Sequence, residues 1–276
     1  MMSSKVFQGS SGLGIASCKR FALRSFSSNV GAYTGKVVTA GSDVKGFFLR
    51  NEADYRVFYE SSSTQKISPW HDIPLYADAS KTLVNFVNEI PRGTVEKMEI
   101  ATKEEFNPIK QDEKKGKLRL YPFASLVNYG ALPQTWEDPE HKDESTGMLG
   151  DNDPLDVVEV GSKIYSSGEV YPVKLLGILG MIDEGEMDWK VIGIAAGDPL
   201  AASINNVDDL EKHMPGKVKS ILDWFKYYKM PDGKPENVFG FDEKALDVDF
   251  THSIVDLTHK AWENKDKMKN AGLWVP

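Results

Sequence analysis

The sequence predicts an α+β fold weighted towards β structure, and three observations predict it. Short apolar or alternating runs recur up to Ala195, helical periodicity appears only after it, and the gaps between runs are short for βαβ crossovers. Strands first and helices last describe either an α+β domain or a β-barrel with helices packed on it.

Residues 55–59 (YRVFY) alternate as a half-buried strand does, and a polar loop follows over 61–66. Residues 97–101 and 118–121 read as strands, with the charged turn EKKGK (113–117) before the second. Further strands are expected over 155–160, 171–179 and 189–195, joined as antiparallel meanders. Helices come last. Asn206 is placed to cap a short helix over 207–213. Pro215 is suited to the first turn of the next, whose buried face would carry Val218, Ile221, Leu222 and Phe225. A final helix is expected from Thr251 as N-cap through Ile254, Thr258, Ala261 and Trp262.

Composition narrows the class. At 276 residues, with 41% hydrophobic and 27% charged, the chain can build its own core. No apolar run reaches the roughly 18 residues of a bilayer span, and the most apolar stretch is interrupted by Pro172 and Lys174. A membrane partner is therefore not expected. The charge is unevenly spread: residues 1–42 hold Lys5, Lys19, Arg20, Arg24 and Lys36 but no acid. That serine-rich basic segment predicts an organellar transit peptide over 1–30, ahead of a domain over 31–276. The string Arg24-Ser25-Phe26 resembles a mitochondrial processing site, so a mitochondrion is expected, with a plastid as the alternative. Without residues 1–30 the chain has 29 basic residues against 41 acidic, a net of −12, which argues against general nucleic-acid binding. The only cysteine, Cys18, lies in the leader, so the domain has neither a disulfide nor a thiol nucleophile.

The chemistry centres on GDNDPLDVVEV (150–160), which crowds Asp151, Asp153 and Asp156 around a proline. Each anion raises the pKa of the next, a cost most easily offset by a divalent cation. All-oxygen ligands suit magnesium, or manganese, better than zinc or copper. An EF-hand reading fails, because Leu155, Asp156 and Ser162 stand at its fifth, sixth and twelfth positions. Residues two apart on a strand share a face, which pairs Lys97 with Glu99 and Asp188 with Lys190. Either pair alone also fits a solvated, ion-paired strand face. Their company with the aspartates points instead to a magnesium-dependent phosphate enzyme.

Seven strings carry a family resemblance: SPWHDIPLY (68–76), NEIPRGTVEKMEI (88–100), NPIKQDEKKGKLR (107–119), NYGALPQTWEDP (128–139), GDNDPLDVVEVG (150–161), IDEGEMDWKVI (182–192) and WFKYYKMPDGKPEN (224–237). In this order the chain resembles family I soluble inorganic pyrophosphatases of the eukaryotic type. The resemblance implies a small closed, OB-like β-barrel flanked by helices, working as a monomer or homodimer on pyrophosphate with several magnesium ions. It implies that Asp151, Asp156 and Asp188 bind metal directly, that Glu99 and Asp183 hold metals or their waters, and that Glu89 orders solvent at the rim. Asp153 would be the general base for a metal-bridged water. Lys97, Arg119, Tyr129, Lys190, Tyr228 and Lys229 would grip the two phosphoryl groups. A non-catalytic relative that merely chelates magnesium is disfavoured by the intact acidic set.

One departure stands out. The family commonly has a tyrosine four residues before the tyrosine of its Asn-Tyr-Gly string, and this chain has Ser125 there. The segment YPFASLV (121–127) is closer to the plastid branch, and Tyr121 is the nearest phenol that could stand in.

Overall fold

The computed structural model describes residues 34–39, 55–61, 63 and 65–276. The predicted leader, its processing string and Cys18 lie outside the described residues. The strands are β1 (Thr34–Thr39), β2 (Tyr55–Glu60), β3 (Lys66–Ile67), β4 (Val84–Ile90), β5 (Met98–Ile100), β6 (Ile109–Gln111) and β7 (Glu113–Lys114). They continue as β8 (Lys117–Leu118), β9 (Asn128–Ala131), β10 (Leu149–Gly150), β11 (Asp156–Glu159), β12 (Val170–Asp183), β13 (Glu186–Ala195) and β14 (Val238–Phe239). The helices are α1 (Val207–His213), α2 (Lys217–Tyr227), α3 (Val248–Trp262) and α4 (Lys265–Asn270).

Five strands close into a ring. β12 pairs with β13 and β4, β4 with β9, β9 with β11, and β11 returns to β13. This is the expected mainly-β centre of an α+β fold, with the helices following it in the chain. One expectation needs correction: the ring is not wholly antiparallel, because β11 and β13 run parallel, as do β10 and β13. The excursion between β11 and β13 is the long strand β12, which crosses from β4 to β13 and supplies the return.

β4 is buried at all seven positions and so shows no alternation. A strand covered on both faces loses the period of two by which half-buried strands are recognised. Its neighbour β9 approaches closely at Gly130, where a Cβ would lie 2.1 Å from the Val87 carbonyl oxygen. Only glycine fits there. A second sheet of β1, β2, β6 and β5, with β3 beside β2, stands next to the ring. The charged turn is a tight hairpin, β7–β8, with Lys115 (φ 53°) and Gly116 (φ 72°) at its tip. Two left-handed residues match the twist of a two-residue hairpin.

The helices follow local chemistry, with two corrections. Asn206 caps α1, accepting from the Asp209 amide at 2.8 Å. Gly216, with φ 77°, precedes α2, so Pro215 lies outside its first turn. Asp247, not Thr251, caps α3, accepting from the Phe250 amide at 2.8 Å. Thr251 is buried inside the first turn and donates to the Asp247 carbonyl at 2.7 Å. A carboxylate cap is worth about 1 kcal/mol and also meets the positive end of the helix dipole. On α2, Ile221, Leu222 and Phe225 are buried as the spacing predicts, each contributing roughly 1.5–3 kcal/mol. Among the described residues no helix is long and apolar enough to cross a membrane.

Candidate active site

One end of the ring opens into a cavity of about 270 Å³. All thirteen side chains singled out in the sequence line it, although they come from strands, loops and the end of α2. The parallel pair supplies its floor. Asp156 on β11 is in register with Lys190 on β13, and Asp188 lies two residues before Lys190 on the same strand face. The buried Lys190 ammonium donates to Asp156 at 2.5 Å, to Asp188, and to the Tyr129 hydroxyl at 3.1 Å. Burial alone would lower this lysine's pKa, but Asp156 and Asp188 hold it well above the ordinary value. Tyr129 in turn donates to Asp156.

A second set of cations lines the same cavity. Lys97 donates to Glu99 at 2.5 Å and to Asp112 at 3.1 Å, and Arg119 donates to the same Asp112 oxygen. Asp112 therefore ties both cations together. Burial would raise its pKa, but Lys97 and Arg119 keep it below the usual carboxylate range. At the rim Lys229 pairs with Asp183 and lies 3.7 Å from Glu184. Glu89 is a nearly buried part of the lining, accepting from the Ile100 amide at 2.6 Å. Burial, and then Asp156, push its pKa well up.

The aspartate loop reaches the cavity through a strained bend. Asn152 sits at φ 72°, and its amide donates to the Glu137 carbonyl at 2.9 Å. The Asp153 carbonyl accepts from the Glu137 amide at 2.9 Å, and the Asp153 amide donates to Asp151 at 3.0 Å. Burial raises Asp151 well above its ordinary value, with Asp188 and Asp153 adding to it. Asp153 opens onto the cavity, yet the enclosing protein, then Glu99, push it up to about 7. Burial pushes Asp188 up to about 6, against the pull of Lys190.

Two positions beside the cavity escaped sequence reasoning. Glu137, Asp151 and Asp188 each bring a carboxylate oxygen within 4.8 Å of the others, a spacing one cation could bridge. Glu137 is 4% exposed; one oxygen accepts from the Trp189 amide at 3.0 Å and the other has no partner. Burial, then Asp151, raise its pKa well above normal. An orphaned buried carboxylate oxygen beside two more carboxylates fits an all-oxygen cation site. Asp112 is the other omission. Both lie inside quoted strings, at NYGALPQTWEDP and NPIKQDEKKGKLR, but only the closed fold shows what they touch. Tyr121 also lines the cavity, whereas Ser125 is buried outside it and donates to the Val127 carbonyl at 2.7 Å.

Comparison with known proteins agrees with this geometry. Residues 86–263 match the family model described as inorganic pyrophosphatase. The chain is 54% identical to the inorganic pyrophosphatase of Homo sapiens over 227 residues, 80% of this chain and 78% of that one. It is 48% identical to soluble inorganic pyrophosphatase 1, chloroplastic, of Chlamydomonas reinhardtii, over 82% of this chain and 81% of the relative. Among solved structures, the inorganic pyrophosphatase of Schistosoma japonicum aligns with a TM-score of 0.77 at 50% identity, covering 83% of this chain and 80% of that one. Matching at this level spans the ring, the cavity and the aspartate loop, and the chain belongs to the family I inorganic pyrophosphatases, enzymes that hydrolyse pyrophosphate.

Proposed function

We propose that the chain hydrolyses pyrophosphate to two orthophosphates with magnesium in this cavity, or manganese in its place, and with Asp153 as general base. The observation that carries this reading is one cavity where carboxylates and phosphate-binding cations alternate. Asp151, Asp156 and Asp188 would hold metal directly, with Glu99 and Asp183 on metals or their waters and Glu89 ordering solvent around a metal. Glu137 joins Asp151 and Asp188 in that set. The chemistry magnesium supplies when bound is charge neutralisation on the phosphoryl oxygens and acidification of water.

The protein's own groups do the rest. Lys97, Arg119, Tyr129, Lys190, Tyr228 and Lys229 take phosphoryl oxygens and fix the P–O–P axis in the cavity. Lys97, Lys190, Arg119 and Lys229 are all paired with carboxylates, so each exchanges a carboxylate for a phosphoryl oxygen as substrate enters. Asp153 accepts the proton of the attacking water as its oxygen bonds to phosphorus. The bridging oxygen leaves with the second phosphate, held by cations that stabilise its new charge. Arg119 offers a planar fork that a lysine lacks. Phosphate release from pyrophosphate, with magnesium and then with EDTA, tests the reading; undiminished turnover in EDTA would overturn it.

Residues 1–30 act as the organellar leader in this reading, for a mitochondrion or a plastid. The relatives from Chlamydomonas reinhardtii and Arabidopsis thaliana named as chloroplastic support an organelle. In this reading the protein works as a homodimer or a monomer. Import of the full chain into isolated organelles, against a chain lacking residues 1–30, tests the leader.

A further inference from the structure

Residues 119–121 continue the β8 edge as extended chain. The Lys97 amide donates to the Arg119 carbonyl at 3.2 Å, Glu96 bridges Leu120, and the Tyr121 amide donates to Val95 at 2.7 Å. Side chains alternate along such a segment. Arg119 and Tyr121 both line the cavity, while Leu120 between them is 52% exposed on the other side.

The Tyr121 ring is clamped. Its edge meets Trp224 at 4.8 Å and Tyr228 at 5.5 Å, and those two rings stack at 5.4 Å. Trp224 in turn donates its indole N–H to the Ala124 carbonyl at 3.1 Å, tying α2 to the loop after Tyr121. The hydroxyl at the end of this fixed ring has no hydrogen-bond partner among the described residues. It differs from Tyr59 and Tyr171, whose unpartnered hydroxyls are sealed in the core. It differs also from Tyr129, whose hydroxyl is engaged by Lys190 and Asp156. Lys97 and Lys190, and the carboxylates Asp156 and Glu99, act on it electrostatically and line the same cavity. Ser125 cannot compete, because its hydroxyl is turned into the 125–127 loop.

We infer that the Tyr121 hydroxyl donates a hydrogen bond to a phosphoryl oxygen of pyrophosphate, in the subsite framed by Lys97, Arg119 and Tyr228. A phenol clamped in place binds without losing rotamer freedom, and an unpartnered donor aimed at a polyanion costs least when the anion is present. Burial holds the phenol above its ordinary pKa, which keeps the donor proton on oxygen at neutral pH. This assignment rests on the pyrophosphatase reading above.

Tyr121→Phe keeps the ring and its clamp and removes only the oxygen. Hydrogen bonds to charged groups are worth about 1.5–3 kcal/mol, so kcat/KM is expected to fall roughly ten- to a hundred-fold with an unchanged melting temperature. Affinity for imidodiphosphate, a non-hydrolysable analogue, should weaken by a similar factor in magnesium buffer. Ser125→Ala should leave both quantities at the wild-type level. Wild-type kcat/KM and wild-type imidodiphosphate affinity in Tyr121→Phe would overturn the inference. A wild-type chain that is itself inert towards pyrophosphate overturns the hydrolase reading, and this is seen before any substitution is made.

Discussion

Asp156 and Lys190 face each other across the parallel strands β11 and β13, ammonium and carboxylate 2.5 Å apart, at the point where the ring closes. The pair is largely removed from water, with the lysine side chain 2% exposed. Removing one partner of such a pair strands the other charge, at a typical cost of 3–5 kcal/mol. The register that closes the ring thus also sets the Asp156 carboxylate beside the Lys190 ammonium at the cavity.

Asp153 and Asp156 should separate in their effects. Asp153 faces the open cavity and makes no ion pair among the described residues, whereas Asp156 accepts from both Lys190 and Tyr129. Asp153→Asn is expected to slow turnover by roughly 10²- to 10⁴-fold at saturating magnesium, the usual contribution of a general base. Asp156→Asn should instead raise the magnesium concentration needed for half-maximal activity. Magnesium titrations of steady-state rate distinguish the two, and wild-type turnover in Asp153→Asn would sink its assignment.

Glu137→Gln removes a buried carboxyl group that crowds Asp151 and Asp188. Without metal the variant should melt at or above the wild-type temperature, because like-charge repulsion is relieved. With magnesium the order should reverse, since affinity is expected to fall about 10- to 100-fold when a supporting carboxylate is lost. Melting curves across a magnesium series give the answer; parallel curves for the two proteins would show that Glu137 has no part in metal binding.

Ser125→Tyr should not improve catalysis. The position is 4% exposed and its hydroxyl is turned onto the Val127 carbonyl, so a phenol there would overpack the loop. Overpacking costs typically 1–3 kcal/mol, which a denaturant titration resolves. A several-fold gain in kcat would contradict the packing described for this loop.

His71 predicts a window of acid sensitivity away from the active site. Its Nδ1 accepts from the Trp262 indole N–H at 2.8 Å, so Nε2 carries the proton and donates to the Trp274 carbonyl at 3.0 Å. Protonating Nδ1 would set two donors against each other. Burial, and then nearby Lys265, lower the histidine to about 4, with the Trp274 carbonyl opposing. The folded pKa is depressed below the unfolded value of about 6.5, so the stability is present above pH 6.5 and is lost as pH falls towards 4. The shift corresponds to roughly 3 kcal/mol. Urea titrations between pH 7 and 4 should show that slope, and His71→Gln should flatten it.

Much of the chemistry was legible in the chain. The spacing of Asp151, Asp153 and Asp156, the face-sharing of Lys97 with Glu99 and of Asp188 with Lys190, the Asn206 cap and the apolar face of α2 all appear in the structure. Each is written in side-chain type and separation within a few residues, and local geometry follows from such spacing directly. The tertiary structure decided the rest. β4 is covered on both faces and shows no period, the parallel pairing of β11 with β13 depends on the path of β12, and Asp247 rather than Thr251 caps α3 because the threonine is needed inside. Asp112 and Glu137 are unremarkable in sequence; one becomes the link between Lys97 and Arg119, the other a neighbour of Asp151 and Asp188, only once the ring is closed. Contacts between residues far apart in the chain follow from which strands pair, and pairing is set by burial summed over the whole core, a quantity no short stretch of sequence contains.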